Sequence, residues 1–315
     1  MSESRKNIET IVQNLNRITE KDITNILSLN DSHSKKIILS SIKEITIGKF
    51  GSKMLFSAKI CVSNYCSQNC KYCFCNSHNK KIERGRLQVD EIIELAKQIS
   101  SHGIKSIILK SGVDNYYNTD MISHIIYTIK AETNIDVTLA LCERKKEEYI
   151  SWAIAGADNY LFIYGLNDKY INLKNAKNEE EIIKFSDFQK KKINVSVELI
   201  VGIPGQKKEE IAKILLMLKN TNIKSLTITP YTSFAFTPVN DSAIIDLTKL
   251  TVSAARLVMP NMNIFSLPSV TNDEVLNNGS ANIGNNGIVL DFSLPEESNI
   301  RLRTSREKGK VFYSS

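Results

Sequence analysis

No run of about 18 apolar residues occurs in this 315-residue chain, so no segment reads as a membrane-spanning helix. The start, MSESRKNIET, lacks the apolar core of a secretory signal. A soluble, cytoplasmic protein without membrane partners is the expectation. No Pro-, Gly- or Ser-rich linker interrupts the chain and no internal repeat is detectable, which argues against a string of modules. Concentrated charge of one sign is missing too. Lys and Arg number 41 against 34 Asp and Glu, a net charge of +7, and the excess is scattered through patches such as KKIERGR, ERKKEE and QKKKIN. A nucleic-acid groove needs clustered cations with aromatics between them. These patches read as solvated helix faces, and no nucleic-acid partner is expected.

Cysteine is scarce, six in all, yet four of the six fall within residues 64–75, NYCSQNCKYCFC. An even number of cysteines in a short secreted chain suggests disulfides. Crowding of this kind in a cytosolic chain points instead to metal binding or redox chemistry.

The rest of the chain alternates. Up to about residue 50, apolar residues recur at helical spacing, as in IETIVQNLNRI and DITNILSL, and NDSHSKKIILSSIKEI offers another helix behind an Asn-Asp-Ser start. From MLFSAKICVS onward, short β-branched runs alternate with longer amphipathic ones. Strands are expected at 55–62, 105–110, 135–141, 159–164, 193–201, 223–229, 262–267 and 287–292. Helices are expected at 89–102, 119–132, 145–156, 178–191, 206–220, 241–258 and 271–281. Eight strands with helices between them predict an α/β fold, a (β/α)8 barrel of the TIM type over 51–295. A helical N-terminal extension over 1–50 precedes it and a C-terminal tail over 296–315 follows. Reactive groups in such a barrel sit on loops at the C-terminal ends of strands, and the cysteine loop begins just after the first.

Three and two residues separate Cys66, Cys70 and Cys73, so one compact loop can turn three sulfurs toward one point. Three thiolates suit an iron-sulfur cluster that leaves one iron open. The alternative is zinc with Cys75 as fourth ligand, in a zinc-stabilised binding protein whose basic surface meets RNA or another anionic partner. Zinc sites more often combine two separated ligand pairs, and the Cys73-x-Cys75 step is cramped.

The cysteine spacing, with Tyr72 in the aromatic position before the last cysteine, resembles the motif of the radical S-adenosylmethionine (SAM) superfamily. FSAKICVSNYCSQNCKYC, ILKSGVDNYY, VTLALCE, AGADNYLF and VGIPGQ follow in the order of the HydE branch, which is allied to biotin synthase and to PylB, the methylornithine synthase. The likeness runs from about residue 20 to about residue 260. It implies a 4Fe-4S cluster on Cys66, Cys70 and Cys73, with SAM chelating the fourth iron and cleaved reductively to a 5′-deoxyadenosyl radical. It also implies a small-molecule substrate in the barrel mouth and an electron donor such as ferredoxin or flavodoxin. Proximity within the family suggests cofactor biosynthesis of the hydrogenase-maturation kind.

Residue by residue, the resemblance puts Tyr72 near the adenine and Ser111 and Gly112 on the SAM amino group. Thr138 and Glu143 flank the end of the third strand at matching positions, and Lys174 faces the SAM carboxylate. Val201 and Gly202 form a wall for the adenine ring, and Gly205 and Gln206 open the next helix. Departures are as specific. Val113 replaces a family Glu and Cys142 a family Gly. Ile163, Tyr164, Gly165 and Leu166 replace a basic residue and a His-Glu-Thr step, leaving Asn167 or Asp168 for the ribose and implying a pocket of different charge. Ser196 and the run NIFSLPSV stand where biotin synthase carries cysteine and arginine for an auxiliary cluster, which disfavours sulfur insertion. Tyr164, Tyr231, Phe234, Phe236 and Phe265 lie near strand ends, where they can line the pocket or serve as core.

Overall fold

The computed structural model describes residues 11, 17–52, 54–70, 73–142, 144–164, 194–231, 242–270 and 283–292. Two helices, α1 (Glu20–Leu27) and α2 (Ser32–Phe50), precede β1 (Leu55–Ser63). Then follow α3 (Val89–Ser101), β2 (Ser106–Ser111), α4 (Thr119–Glu132), β3 (Asp136–Ala140), α5 (Lys146–Ala155) and β4 (Asn159–Tyr164). The remainder is β5 (Asn194–Val201), α6 (Lys208–Lys219), β6 (Ser225–Pro230), α7 (Ser242–Val258), β7 (Asn263–Ser266) and β8 (Gly287–Asp291). The strands close into a barrel in the order β1 to β8, the (β/α)8 fold expected. Every expected strand forms within two residues of its expected bounds, as do the helices at 89–102, 119–132, 145–156, 206–220 and 241–258. The helices expected at 178–191 and 271–281 lie outside the described residues.

Local chemistry sets the helix starts. The Thr19 hydroxyl accepts from the Asp22 amide at 3.2 Å while the Asp22 carboxylate accepts from the Thr19 amide at 2.9 Å, a reciprocal cap that opens α1. Asp31 accepts from the Ser34 amide at 2.7 Å to open α2, and Asn118 from the Met121 amide at 2.9 Å to open α4.

Contacts divide the described residues into two compact units. One comprises those of 1–55 and 161–288. Here Val195, Val197, Leu199, Val201, Leu226 and Ile228 turn one face of β5 and β6 into a buried apolar cluster with Ile211, Leu215 and Leu218 of α6 and Val252 of α7. Fully burying each such side chain stabilises the fold by about 1.5–3 kcal/mol. Several alternate residues are polar: half-buried Ser225 donates to the hydroxyl of buried Ser196 at 2.7 Å, and buried Thr229 to the carboxylate of buried Glu198 at 3.3 Å. Arg256 of α7, fully buried, donates to the carbonyls of Gly284, Pro260 and Met262 and to Asn286 Oδ1 at 2.7–3.0 Å, fastening the segment that leads into β8.

The other unit comprises the described residues of 56–160 and 289–315. Ala58, Ile60 and Val62 of β1, Ile107 and Leu109 of β2, and Val137 and Leu139 of β3 are almost wholly buried, as are Ile92, Ala96, Ile122, Ile125 and Ile129 of α3 and α4. The period of two puts Ser57, Lys59, Ser106, Lys110 and Thr138 on the opposite, polar face. Ser57 and Ser106 share a hydrogen bond of 3.1 Å, and Lys59 pairs with Asp291 of β8 at 2.5 Å.

Candidate functional site

The ladder between β1 and β2 loses its regular register between Cys61 and Ser63, and the chain leaves β1 into the cysteine loop. Short turns fold the loop on itself: the amides of Cys73 and Asn76 donate to the carbonyls of Cys70 and Cys73 at 3.0 Å, and the Ser77 amide to the Gln68 carbonyl at 2.8 Å. Cys70 is buried, whereas Cys66 and Cys73 are half-buried. Burial, and then the neighbouring Cys73 and Cys66 thiols, push the Cys70 thiol up to about 12. Three sulfurs this close cannot all ionise without a cation among them, which is the condition an iron cluster supplies.

Cys66 is already held as a hydrogen-bond acceptor. Its sulfur receives the Gln68 amide at 3.4 Å and the Val113 amide at 3.3 Å. Val113 follows β2, and its carbonyl accepts from the Ser67 amide at 3.1 Å, so the segment after β2 is laced to the loop after β1. Gly112 makes that approach possible. A Cβ on it would lie 2.5 Å from the Tyr65 carbonyl and 2.6 Å from Cys66 Cβ. Ser111, which ends β2, donates to the Gly112 carbonyl at 2.8 Å.

Cys142 joins the same place from β3. Its thiol donates to the Ser111 carbonyl at 3.4 Å, and its backbone holds φ 57°, a left-handed value uncommon for a side chain other than glycine. Its surface is solvent-accessible, yet protein surrounds it closely enough that burial, followed by the Cys66 and Cys73 thiols, raises it to about 12. Thr138, buried on β3, accepts from Asn159 Nδ2 at 3.5 Å. Cys61 is buried and donates to the Ser63 carbonyl at 3.3 Å, in keeping with a small core residue.

In the first unit, Val201 ends β5 and Gly202 turns with φ 89°; a Cβ there would lie 2.7 Å from Ile244, so the left-handed turn and α7 both require glycine. Gly205 and Gln206 do not open the next helix. α6 begins at Lys208, because the Gln206 side chain folds back to accept from the Gly202 amide at 2.8 Å and to donate to the Ile200 carbonyl at 3.0 Å. Tyr72, Glu143 and Lys174 lie outside the described residues, as do 165–168, Phe234, Phe236 and the tail.

The basic patch KKIERGR departs from a solvated helix face. Lys80 and Lys81 are exposed, but Arg84 and Arg86 are half-buried and lie on no helix. Arg84 donates to four loop carbonyls: Asn64, Cys75 at 2.9 Å, Asn76 at 2.7 Å and Asn79 at 3.2 Å. Arg86 forms a two-point pair with Asp114, Nε at 2.7 Å and Nη2 at 2.9 Å, and lies over the Tyr65 ring at 3.8 Å. Asp114 also accepts from the Ser63 hydroxyl at 2.6 Å and the Tyr116 amide at 3.1 Å. Burial pushes its carboxyl up, but Arg86 and Ser63 outweigh this and hold it below the usual carboxylate range. The signal in the sequence was the choice of arginine at both positions beside a loop: a guanidinium fork reaches several carbonyls or a carboxylate at once, which an ammonium cannot do.

Among the described residues no three His, Cys, Asp or Glu side chains already converge on a single ion position. The fold is a (β/α)8 barrel whose first strand runs into a loop carrying three closely spaced cysteines. Residues 60–218 match the family model of the radical SAM superfamily, and the chain belongs to that superfamily. Over 261 residues it is 31% identical to the [FeFe] hydrogenase maturase subunit HydE of Thermotoga maritima, covering 81% of this chain and 75% of the relative. It is 26% identical to 3-methylornithine synthase of Methanosarcina barkeri over 126 residues, 39% of this chain and 36% of the relative. The crystal structure of methylornithine synthase (PylB) superposes with a TM-score of 0.76 at 17% identity, covering 97% of this chain and 92% of that one. HydG, a maturase of the [FeFe]-hydrogenase, superposes with a TM-score of 0.75 at 18% identity, covering 91% of this chain and 68% of that one. The protein is therefore a radical SAM enzyme, and its cofactors are a 4Fe-4S cluster and SAM. The donor set fits: crowded thiols, amides aimed at one sulfur, and a glycine that leaves the approach open.

Proposed function

We propose that this enzyme belongs to cofactor biosynthesis of the HydE kind and acts on a small molecule in the barrel mouth. What supports the reading is 31% identity to HydE over 81% of the chain, joined to a three-cysteine loop at the end of β1. Cys66, Cys70 and Cys73 hold the cluster. Ser111, Gly112, Thr138, Val201 and Gly202 contact SAM, together with Tyr72, Glu143 and Lys174. When bound, the cluster and SAM supply reductive cleavage to methionine and a 5′-deoxyadenosyl radical. The chain's own part is positional: two amides donate to the Cys66 sulfur, and Gly112 lets the segment after β2 approach the loop. Exposed Lys80 and Lys81, beside the loop, suit docking of an acidic electron carrier such as ferredoxin or flavodoxin.

The test is anaerobic reconstitution with iron and sulfide, addition of SAM and dithionite, and measurement of 5′-deoxyadenosine, with Cys70→Ala as control. Formation in the wild type and its loss in Cys70→Ala is expected. An intact cluster that yields no nucleoside, with or without hydrogenase-cofactor precursors, overturns the proposal.

A further inference from the structure

One carboxylate gathers four of the hydrogen bonds that fix the segment after β2. Asp114 is 5% exposed and carries four hydrogen bonds: two from Arg86, one from the Ser63 hydroxyl at the end of β1, and one from the Tyr116 amide. The Ser63 oxygen in turn accepts from the Tyr65 amide at 3.0 Å, immediately before Cys66. Tyr65 and Tyr116 lie against the Arg86 guanidinium at 3.8 and 4.9 Å, which limits the movement of its fork. Asp114 thus ties together both peptide segments that meet at Cys66. The adjacent Val113 points its amide at the Cys66 sulfur from 3.3 Å.

We propose that Asp114 is a positioning residue which, through its pair with Arg86, aims the Val113 amide at the Cys66 sulfur and so sets the reduction potential of the cluster. The inference rests on Cys66 being a cluster ligand. Hydrogen bonds to cluster sulfurs stabilise the electron-rich reduced state, so losing one lowers the potential. Asp114 is one residue from that amide and touches neither the sulfur nor any group assigned to SAM. Its effect therefore travels through backbone placement.

Charge must be separated from geometry in the test. Asp114→Asn alone removes a negative charge, leaves Arg86 unpaired and raises the potential by electrostatics. Two variants conserve charge: Asp114→Glu, which moves the carboxylate by one methylene, and the double variant Asp114→Asn with Arg86→Gln. After anaerobic reconstitution, iron and sulfide are counted, and the potential is read by redox titration followed by the electron paramagnetic resonance of the reduced cluster. Both variants are expected to retain iron and to shift the reduction equilibrium about tenfold toward the oxidised form, which is about 59 mV for one electron. A potential equal to that of the wild type in either variant that holds its cluster overturns the proposal. Loss of the cluster from both, with wild-type far-UV circular dichroism, means that Asp114 holds the loop rather than tunes it, and overturns it too. A wild type that binds no cluster would instead defeat the assignment of the cysteines.

Discussion

Substituting Gly112 by Ala tests how closely the two halves of the cofactor site are interlocked. Gly112 follows Ser111 at the end of β2, and no left-handed backbone is involved, so the penalty is purely steric. The added Cβ would lie 2.5 Å from the Tyr65 carbonyl oxygen and 2.6 Å from Cys66 Cβ, about 0.9 and 0.8 Å short of ordinary contact. One obstacle is backbone and the other is the Cβ of Cys66, proposed above as a cluster ligand, so no flexible side-chain end can move aside. The loop cannot withdraw freely either, because Arg84 holds the Asn64, Cys75, Asn76 and Asn79 carbonyls and the Arg86–Asp114 pair holds its base. Overpacking at such a site costs about 2 kcal/mol, within the 1–3 kcal/mol usual for an inserted methyl group. Urea unfolding of the cluster-free protein reads the stability, and iron per chain after anaerobic reconstitution reads the displacement of Cys66. Unchanged stability together with full iron content in Gly112→Ala would refute the interlocking.

Gly48→Ala, in the last turn of α2 where an added methyl group would meet nothing within 4 Å, should have the opposite sign and raise stability by about 0.5 kcal/mol in the same unfolding assay. Arg256→Met leaves three carbonyls and Asn286 without their buried donor; a loss of about 3 kcal/mol or more is expected in urea, with a lowered melting temperature. For Glu148, burial raises the carboxyl but the Arg144 pair, the Lys145 amide and Thr119 outweigh it and hold it below its usual range. Its contribution is present above the unfolded carboxylate pKa, about 4.3, and is lost as pH falls through the lower folded value. Glu148→Gln should therefore flatten the fall of stability between neutral and acid pH; an unchanged slope counts against the pair.

The barrel was legible because period-two β-branched runs and period-3.6 amphipathic runs alternate without interruption, and each buries one face. Val195, Val197, Leu199 and Val201 announce β5 by that pattern alone. The cysteine loop was legible for a different reason: sulfur ligands must be placed at fixed intervals whatever surrounds them. Pattern fails where a residue's partners are far along the chain. Arg84 and Arg86 look like any basic patch until the loop returns over them, and Asp114 beside Val113 reads as a turn residue until Ser63, 51 positions earlier, donates to it. Gln206 looked like the first residue of a helix, and its side chain instead caps the end of β5.

That contrast separates the forces holding the scaffold from those holding the site. β5, β6, α6 and α7 are fixed by buried aliphatic side chains, whose loss weakens the whole cooperative unit. The cysteine loop, by comparison, is largely polar and half-exposed, and it is restrained by carbonyls on Arg84, amides on Cys66 and the Asp114 pair. Half-exposed polar bonds contribute little to global stability but fix local geometry tightly when several converge. Arg84→Ala should accordingly leave the urea midpoint almost unchanged while reducing iron retained after reconstitution, and Leu215→Ala should do the reverse, losing about 2–5 kcal/mol of stability with near-normal iron in the folded fraction. If both substitutions lowered stability and iron loading in proportion, scaffold and site would be one energetic unit, and this division would be wrong.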